Sequence, residues 1–441
     1  MLATTIALIT TGCAGAGGGG GSGQGGETIN VLMVGNPQME DIRELTADNF
    51  TAETGITVKY TILPENELRD KVTQDVATGA GRYDVVTVGA YEVPIWAEND
   101  WLHELSSYAQ KDEEFDHEDL LEPIVESVSG DSGNMYAIPF YGESSFLMYR
   151  KDLFDKAGLT MPEHPTWQQV ATFAEQLDNE NQGTSGICLR GLPGWGEVFA
   201  PLTTVVNTYG GTWFDENWDP RVDAPEFTEA VRFYVDLVRE YGQPGASNAG
   251  FTECLNTFGQ GKAAMWYDAT SAAASLEDPK VSKVAGDVGY VFAPVERTEH
   301  AGWLWTWSWA VPKTTERPDA AWEFISWASG KEYEKLVGEE LGWSRVPDGK
   351  RRSTYEIPQY QQAAEAYYQV ARESIETANP RKPGLHENPA VGVQFVGIPE
   401  FADLGTKVSQ NVAAAIAGDT TVAEALADGQ RRAEQVATKY R

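Results

Sequence analysis

Positive charge is the scarcest property of this sequence: 33 Lys and Arg stand against 66 Asp and Glu, a formal net charge of −33. Such a chain repels phosphate backbones and offers no basic patch, which argues against nucleic acid as a partner. Histidine is rare too. The five, His103, His117, His164, His300 and His386, are scattered without an HExxH or CxxC, so neither a metal nor a cofactor is expected. No GxSxG nucleophile elbow occurs, and Gly142-Glu143-Ser144-Ser145-Phe146 does not match one. No segment reaches about 18 consecutive apolar residues, so no transmembrane helix is expected. What remains is plentiful in aromatics, with 14 Trp, 18 Tyr and 16 Phe among 441 residues, which excludes a mainly disordered chain and suggests two or three domains.

Only three cysteines are present. Cys13 follows the short apolar run Leu2 to Thr11 and precedes a glycine-rich tract that ends at Gly26. This resembles a bacterial lipoprotein signal, in which the cysteine is lipidated and the glycines form a tether; the resemblance implies an exported chain anchored to a membrane through lipid at Cys13. It departs from the pattern in having no Lys or Arg before the apolar run and Thr10 where leucine is usual. Cys188 and Cys254 are then left as an exported pair open to oxidation, although their separation fixes no geometry.

After the tether, Thr28 to Val34 reads as a near-continuous apolar strand, Gly55 to Ile62 alternates like a second, and Tyr83 to Gly89 gives a third. Amphipathic helical patterns lie between them, one through Ile42, Leu45 and Phe50 and one over Glu67 to Thr78. This alternation predicts an α/β domain with a mainly parallel sheet, and ligands of such sheets bind beyond the carboxyl ends of strands. The loops holding Asn36 and Gln38, and Tyr91 and Glu92, are therefore the first candidates. Later, Thr166 with Gln169 forms a capping box, and Phe227 to Tyr241 repeats an apolar face with Pro225 before it and Gly242 after it. The chain after about residue 360 reads mostly helical, ending in Thr421 to Tyr440, with a long connection from Asn379 to Pro399.

Residues 27 to 441 resemble the extracellular solute-binding proteins of carbohydrate ABC importers, the maltose-binding-protein-like group. The stretches that carry the resemblance are Tyr83-Asp84-Val85-Val86, Trp101 to Leu105, Tyr136-Ala137-Ile138-Pro139-Phe140, Met148 to Phe154, Ala157-Gly158-Leu159 and Pro165-Thr166-Trp167, in this order. Tyr91 to Ala97 and Gly142 to Phe146 look most like the branch that binds sugar alcohols such as mannitol and sorbitol. The resemblance implies a type II periplasmic-binding-protein fold of two lobes, each with a mainly parallel sheet flanked by helices. Residues 1–26 would be signal and tether, 27–139 with about 300–343 the first lobe, and 140–299 with about 344–441 the second. It implies a monomeric, non-enzymatic receptor that closes on a sugar or polyol and presents it to permease subunits in the membrane.

A polyol offers hydroxyls and C–H faces but no charge, so its pocket needs flat aromatic surface and rigid hydrogen-bonding groups. Acids or arginines beside aromatics in loops fit: Tyr91 with Glu92, Tyr141 with Glu143, Arg190 with Trp195, and Trp266 with Asp268. The resemblance adds Trp213 and Arg345. Finally, Trp303, Trp305, Trp307 and Trp309 alternate before Pro312, the pattern of a strand with indoles on one face. Rings about 6.5 Å apart span more than one small ligand, so some of the four are expected to be core. In the family that the chain resembles, this segment runs from the crossover between lobes back into the first lobe, and the resemblance implies Trp303 and Trp305 in the cleft and Trp307 and Trp309 in the first-lobe core. The same acids and aromatics would also suit an exported glycoside hydrolase, which needs two carboxyls at a set separation that sequence does not measure. A surface adhesin, the third alternative, would not require tryptophan-acid clusters in strand-end loops.

Overall fold

The computed structural model describes residues 26–441 apart from 131, 180 and 182; Cys13 and the tether up to residue 25 lie outside the described residues. Among the described residues, eight strands form two sheets: β1 (Thr28–Val34), β2 (Thr57–Leu63), β3 (Val85–Gly89), β4 (Ala137–Glu143), β5 (Ser145–Arg150), β6 (Met265–Ala269), β7 (Val288–Phe292) and β8 (Trp305–Ala310). The first sheet has the order β2-β1-β3-β8-β4 and the second β6-β5-β7. Helices cover both sheets, giving the two-lobed α/β architecture expected.

Strand direction departs from the mainly parallel expectation. β1 pairs with β2 and β3 in parallel, but β8 runs antiparallel to both β3 and β4. In the second sheet β5 is antiparallel to β6 and β7. The reason is the path of the chain. β4 ends at Glu143 in one sheet, β5 starts at Ser145 in the other, and β8 returns from the second sheet to the first. A strand that enters a sheet from the cleft side runs against strands that point toward the cleft. The crossing strands meet there: Thr270 N donates to Ser144 O at 2.8 Å and Trp303 N to Ser145 Oγ at 3.2 Å.

Two boundaries also shift. β4 extends the first sheet to Glu143, beyond the division expected at residue 139. Lys350 and Arg351, expected in the second lobe, are buried against the first, where Lys350 pairs with Glu334 and Arg351 with Asp119 at 3.4 Å.

The local signals behave as their chemistry dictates. Asn36 caps the helix that starts at Pro37 by accepting from Met39 N. Thr166 and Gln169 form the reciprocal capping box of helix Trp167–Leu177, and helix Pro225–Tyr241 buries Phe227, Ala230, Val231, Tyr234 and Val238 before Gly242 ends it. Trp309 packs on Phe140 and Phe324 in the core of the first lobe. Trp167 packs edge-on against Tyr267 in the second.

Candidate functional site

A cavity of about 420 Å³ opens between the sheets. The first lobe supplies the carboxyl ends of β1 and β2, with Asn36, Gln38, Glu65 and Arg69; the second supplies Arg190, Trp195, Glu197, Phe251 and Ser271. Tyr141, Glu143, Trp303, Trp305 and Trp307 come from the strands and connections that cross between lobes. Its size falls within the range of about 300–1,000 Å³ usual for small-molecule sites.

One wall is aromatic. Trp305 and Trp307 lie on one face of β8, with ring centroids 5.7 Å apart, while Thr306 and Ser308 face the other way and bond each other at 3.1 Å. Gly89 makes room for this wall, since a Cβ there would lie 2.0 Å from the Trp305 ring. Trp307, expected in the core, therefore faces the cavity with Trp305; its register opposite Gly89 and Tyr141 leaves it at the cleft end of the sheet, and of the four rings Trp309 alone does not line the cavity. Trp303 precedes the strand and leans toward the second lobe, 6.3 Å from the Tyr267 ring.

Two guanidinium groups are fixed in the lining. Arg69 is held by Glu65 at 3.0 Å and by Glu92, and its Cζ lies 4.3, 5.0 and 4.9 Å from the ring centroids of Trp195, Trp305 and Trp307. Arg190 donates two bonds to Asp268, at 2.9 and 2.5 Å, and one to Gly196 O at 3.1 Å, with Glu197 Oε2 at 3.5 Å. Such planar, pre-oriented donors suit hydroxyl recognition because little freedom is lost when they bind. A disulfide between Cys188 and Cys254 ties the Arg190 loop to helix Phe251–Gly259, which carries further lining residues.

The remaining polar groups are specific in their state. Asn36 donates to Tyr141 Oη at 3.0 Å while capping its helix, and Gln38 reaches across the cleft to Ser271 O at 3.2 Å. Ser271 donates to Glu143 at 2.5 Å. Burial pushes the Glu143 carboxyl up to about 8 against the lowering pull of Ser271 and Arg190, so it keeps its proton at neutral pH. Glu197 is likewise raised to about 8 by burial and by the nearby Glu65. Trp303 Nε1 and Gln394 Oε1 are buried in the lining with no partner among the described residues, a state that a ligand hydroxyl would relieve.

Of the residues expected at the site, Asn36, Gln38, Tyr141, Glu143, Arg190, Trp195, Trp303 and Trp305 line the cavity. Six do not. Tyr91 is buried behind Trp195, with centroids 4.6 Å apart and its hydroxyl on Ile398 O at 2.9 Å. Glu92 holds Arg69 and accepts from Gly89 N at 3.1 Å. Asp268 is fully buried, gripped by Arg190 and by Trp266 Nε1 at 3.1 Å, so Trp266 and Asp268 support Arg190 from beneath. Trp213 is core, packed on Phe199, Phe227 and Phe401. Arg345 lies beside a separate, smaller cavity, where it pairs with Asp41 and approaches Asp278 at 3.6 Å, a contact that bridges the lobes. Burial raises Asp41 to about 6 despite this pairing.

Glu65, Arg69, Glu197, Ser271, Trp307 and Gln394 were absent from the expected set. Glu65 and Arg69 follow the carboxyl end of β2, which the strand-end rule already indicates; nothing local marks Gln394. Among the described residues no cluster of three His, Cys, Asp or Glu is placed to hold a metal, and no helix is long and apolar enough to cross a membrane.

Comparison with known proteins places this geometry. The chain is 41% identical over 409 residues to the mannitol-binding protein of Pseudomonas aeruginosa, covering 92% of each. It superposes with a TM-score of 0.91 on an ABC transporter solute-binding protein from Agrobacterium vitis with bound D-mannitol, at 45% identity, covering 94% of this chain and 99% of that one. A solute-binding protein from Agrobacterium radiobacter in complex with ribitol matches at 0.83 and 25% identity, over 93% and 99% of the two chains. The pattern of the bacterial extracellular solute-binding proteins matches residues 36–335, a span that includes most of the cavity and strands of both sheets. With the cavity between two lobes and the match running through both, the chain belongs to the bacterial extracellular solute-binding protein family.

Proposed function

We propose that this protein is the receptor of an ABC importer that captures a sugar alcohol in the interlobe cavity and delivers it to the membrane permease. The observation that carries this reading is the pairing of an indole wall, Trp303, Trp305 and Trp307, with two clamped guanidiniums in a cavity lined by both lobes. The rings replace water on C–H faces, and the fixed polar groups read hydroxyls. Ligand that touches both lobes favours the closed form in proportion to its preference for that form. Relatives that bind mannitol or ribitol support an open-chain polyol over a larger oligosaccharide. In this reading the exported receptor works as a monomer, held at the membrane through lipid on Cys13.

Thermal unfolding and Trp fluorescence against D-mannitol, D-sorbitol, ribitol and small sugars test it, with product analysis afterwards. A specific ligand at 100 times its Kd adds about 2.7 kcal/mol to stability. Unchanged midpoints for every polyol, or turnover of any compound, would overturn the receptor assignment.

A further inference from the structure

The cavity is short of cations. Two guanidiniums, Arg69 and Arg190, face five buried or largely buried carboxyls: Glu65, Glu92, Glu143, Glu197 and Asp268. Glu65 and Glu92 share Arg69, and Asp268 with Glu197 shares Arg190. Among these five, Glu143 alone has no ion-pair partner among the described residues, where its one side-chain hydrogen bond is the Ser271 hydroxyl on Oε2. The groups that face it are Ser271, Arg190 and Asp268 from the second lobe, Glu65 from the helix after β2, and Tyr141 beside it on β4. Arg190 is already committed to Asp268 through two bonds, so it lowers the Glu143 carboxyl through space without pairing with it.

We infer that the cavity also accepts polyols with one terminal ammonium group, the 1-amino-1-deoxyalditols, with the ammonium seated on Glu143. This rests on the polyol reading above and extends it to a second ligand class. The hydroxyls of such a ligand use the same surfaces as a neutral alditol, including the unpartnered Trp303 Nε1 and Gln394 Oε1. The ammonium replaces the proton that Glu143 otherwise holds, turning a neutral contact into a charge-assisted one. The corresponding aldonate would place a carboxylate among the excess acids and be rejected.

Isothermal titration of the full chain at pH 7 with D-mannitol, 1-amino-1-deoxy-D-mannitol and D-mannonate tests this, run in two buffers of different ionisation enthalpy. The amine should bind within about tenfold of D-mannitol and release close to one proton per site, because an alkylammonium of pKa about 10 arrives charged while Glu143 gives up its proton. D-Mannitol should release none, and D-mannonate should not bind. In Glu143→Gln the affinity ratio of amine to D-mannitol should fall at least about tenfold, roughly 1.4 kcal/mol. Proton release is read on the unaltered protein, so the test survives a misfolded variant. Binding of D-mannitol without the amine, amine binding without proton release, or an unchanged ratio in Glu143→Gln overturns this inference alone. Failure of every polyol, D-mannitol included, overturns the receptor reading with it.

Discussion

The Trp195 indole lies against the Arg69 guanidinium, 4.3 Å from ring centroid to Cζ, and so joins the second lobe to the first within the cavity lining. Arg69 is fixed by Glu65 and Glu92, and Trp195 is backed by Tyr91 and Phe395. Gly196 lets the loop approach, since a Cβ there would lie 2.3 Å from Glu65 Oε1. A desolvated cation–π contact contributes about 2 kcal/mol. Trp195→Ala and Arg69→Met should each weaken D-mannitol binding at least about tenfold, and the double variant should lose about 1–2 kcal/mol less than the sum. Titration calorimetry on the four proteins gives the coupling directly; strict additivity would show that the contact does not assist closure.

The tryptophan strand divides between ligand and core one tryptophan later than expected. Trp305→Ala and Trp307→Ala should both weaken polyol binding, because both rings line the cavity. Trp309→Ala removes a fully buried ring from the Phe140 and Phe324 cluster and should cost about 3–5 kcal/mol of stability. Denaturant midpoints and Kd values for the three variants separate the two roles. Intact binding in Trp307→Ala would return that ring to the core.

The elements most readable in the sequence are those whose signals are local. Asn36 before Pro37, Thr166 with Gln169, and Gly242 after an apolar helical face each carry their own geometry. Site residues were legible where an aromatic and a polar group are neighbours in sequence, as with Tyr141 and Glu143 or Arg190 and Trp195. That same adjacency misplaced Tyr91, Glu92, Trp266 and Asp268, which support the lining from behind. In both of these pairs the two side chains lie behind the lining, Tyr91 and Glu92 against Trp195 and Arg69 and Trp266 and Asp268 beneath Arg190, and adjacency in sequence does not distinguish that layer from the cavity wall. The antiparallel entry of β8 and the position of Gln394 depend on how the chain crosses between lobes, a long-range property with no local pattern.

The Cys188–Cys254 disulfide closes a loop between positions 66 apart, for which the chain-entropy relation gives about 4 kcal/mol. It also positions Arg190 against Phe251, whose ring lies 5.2 Å from the guanidinium. A Cys188→Ser, Cys254→Ser variant should therefore unfold at lower temperature and bind polyol more weakly than the oxidised protein. Calorimetric scans with and without ligand check both. A variant with unchanged affinity would confine the disulfide to stability.

Glu143 and Glu197 give the ligand-free protein a defined pH response. Both carboxyls are raised from the ordinary 4.5 to about 8, chiefly by burial, so the folded state binds their protons more tightly than the unfolded chain does. Their contribution to stability is greatest below about pH 4.5 and declines as pH rises toward about 8. Each group accounts for at most about 1.4 kcal/mol per pH unit within that window. Unfolding free energy should thus fall between about pH 5 and pH 8, and Glu143→Gln should flatten the slope because the amide does not titrate. The difference between the two curves isolates Glu143 from all other titrating groups. Parallel curves across this range would mean that Glu143 is ionised in the folded cavity, with its charge met by a partner other than Ser271.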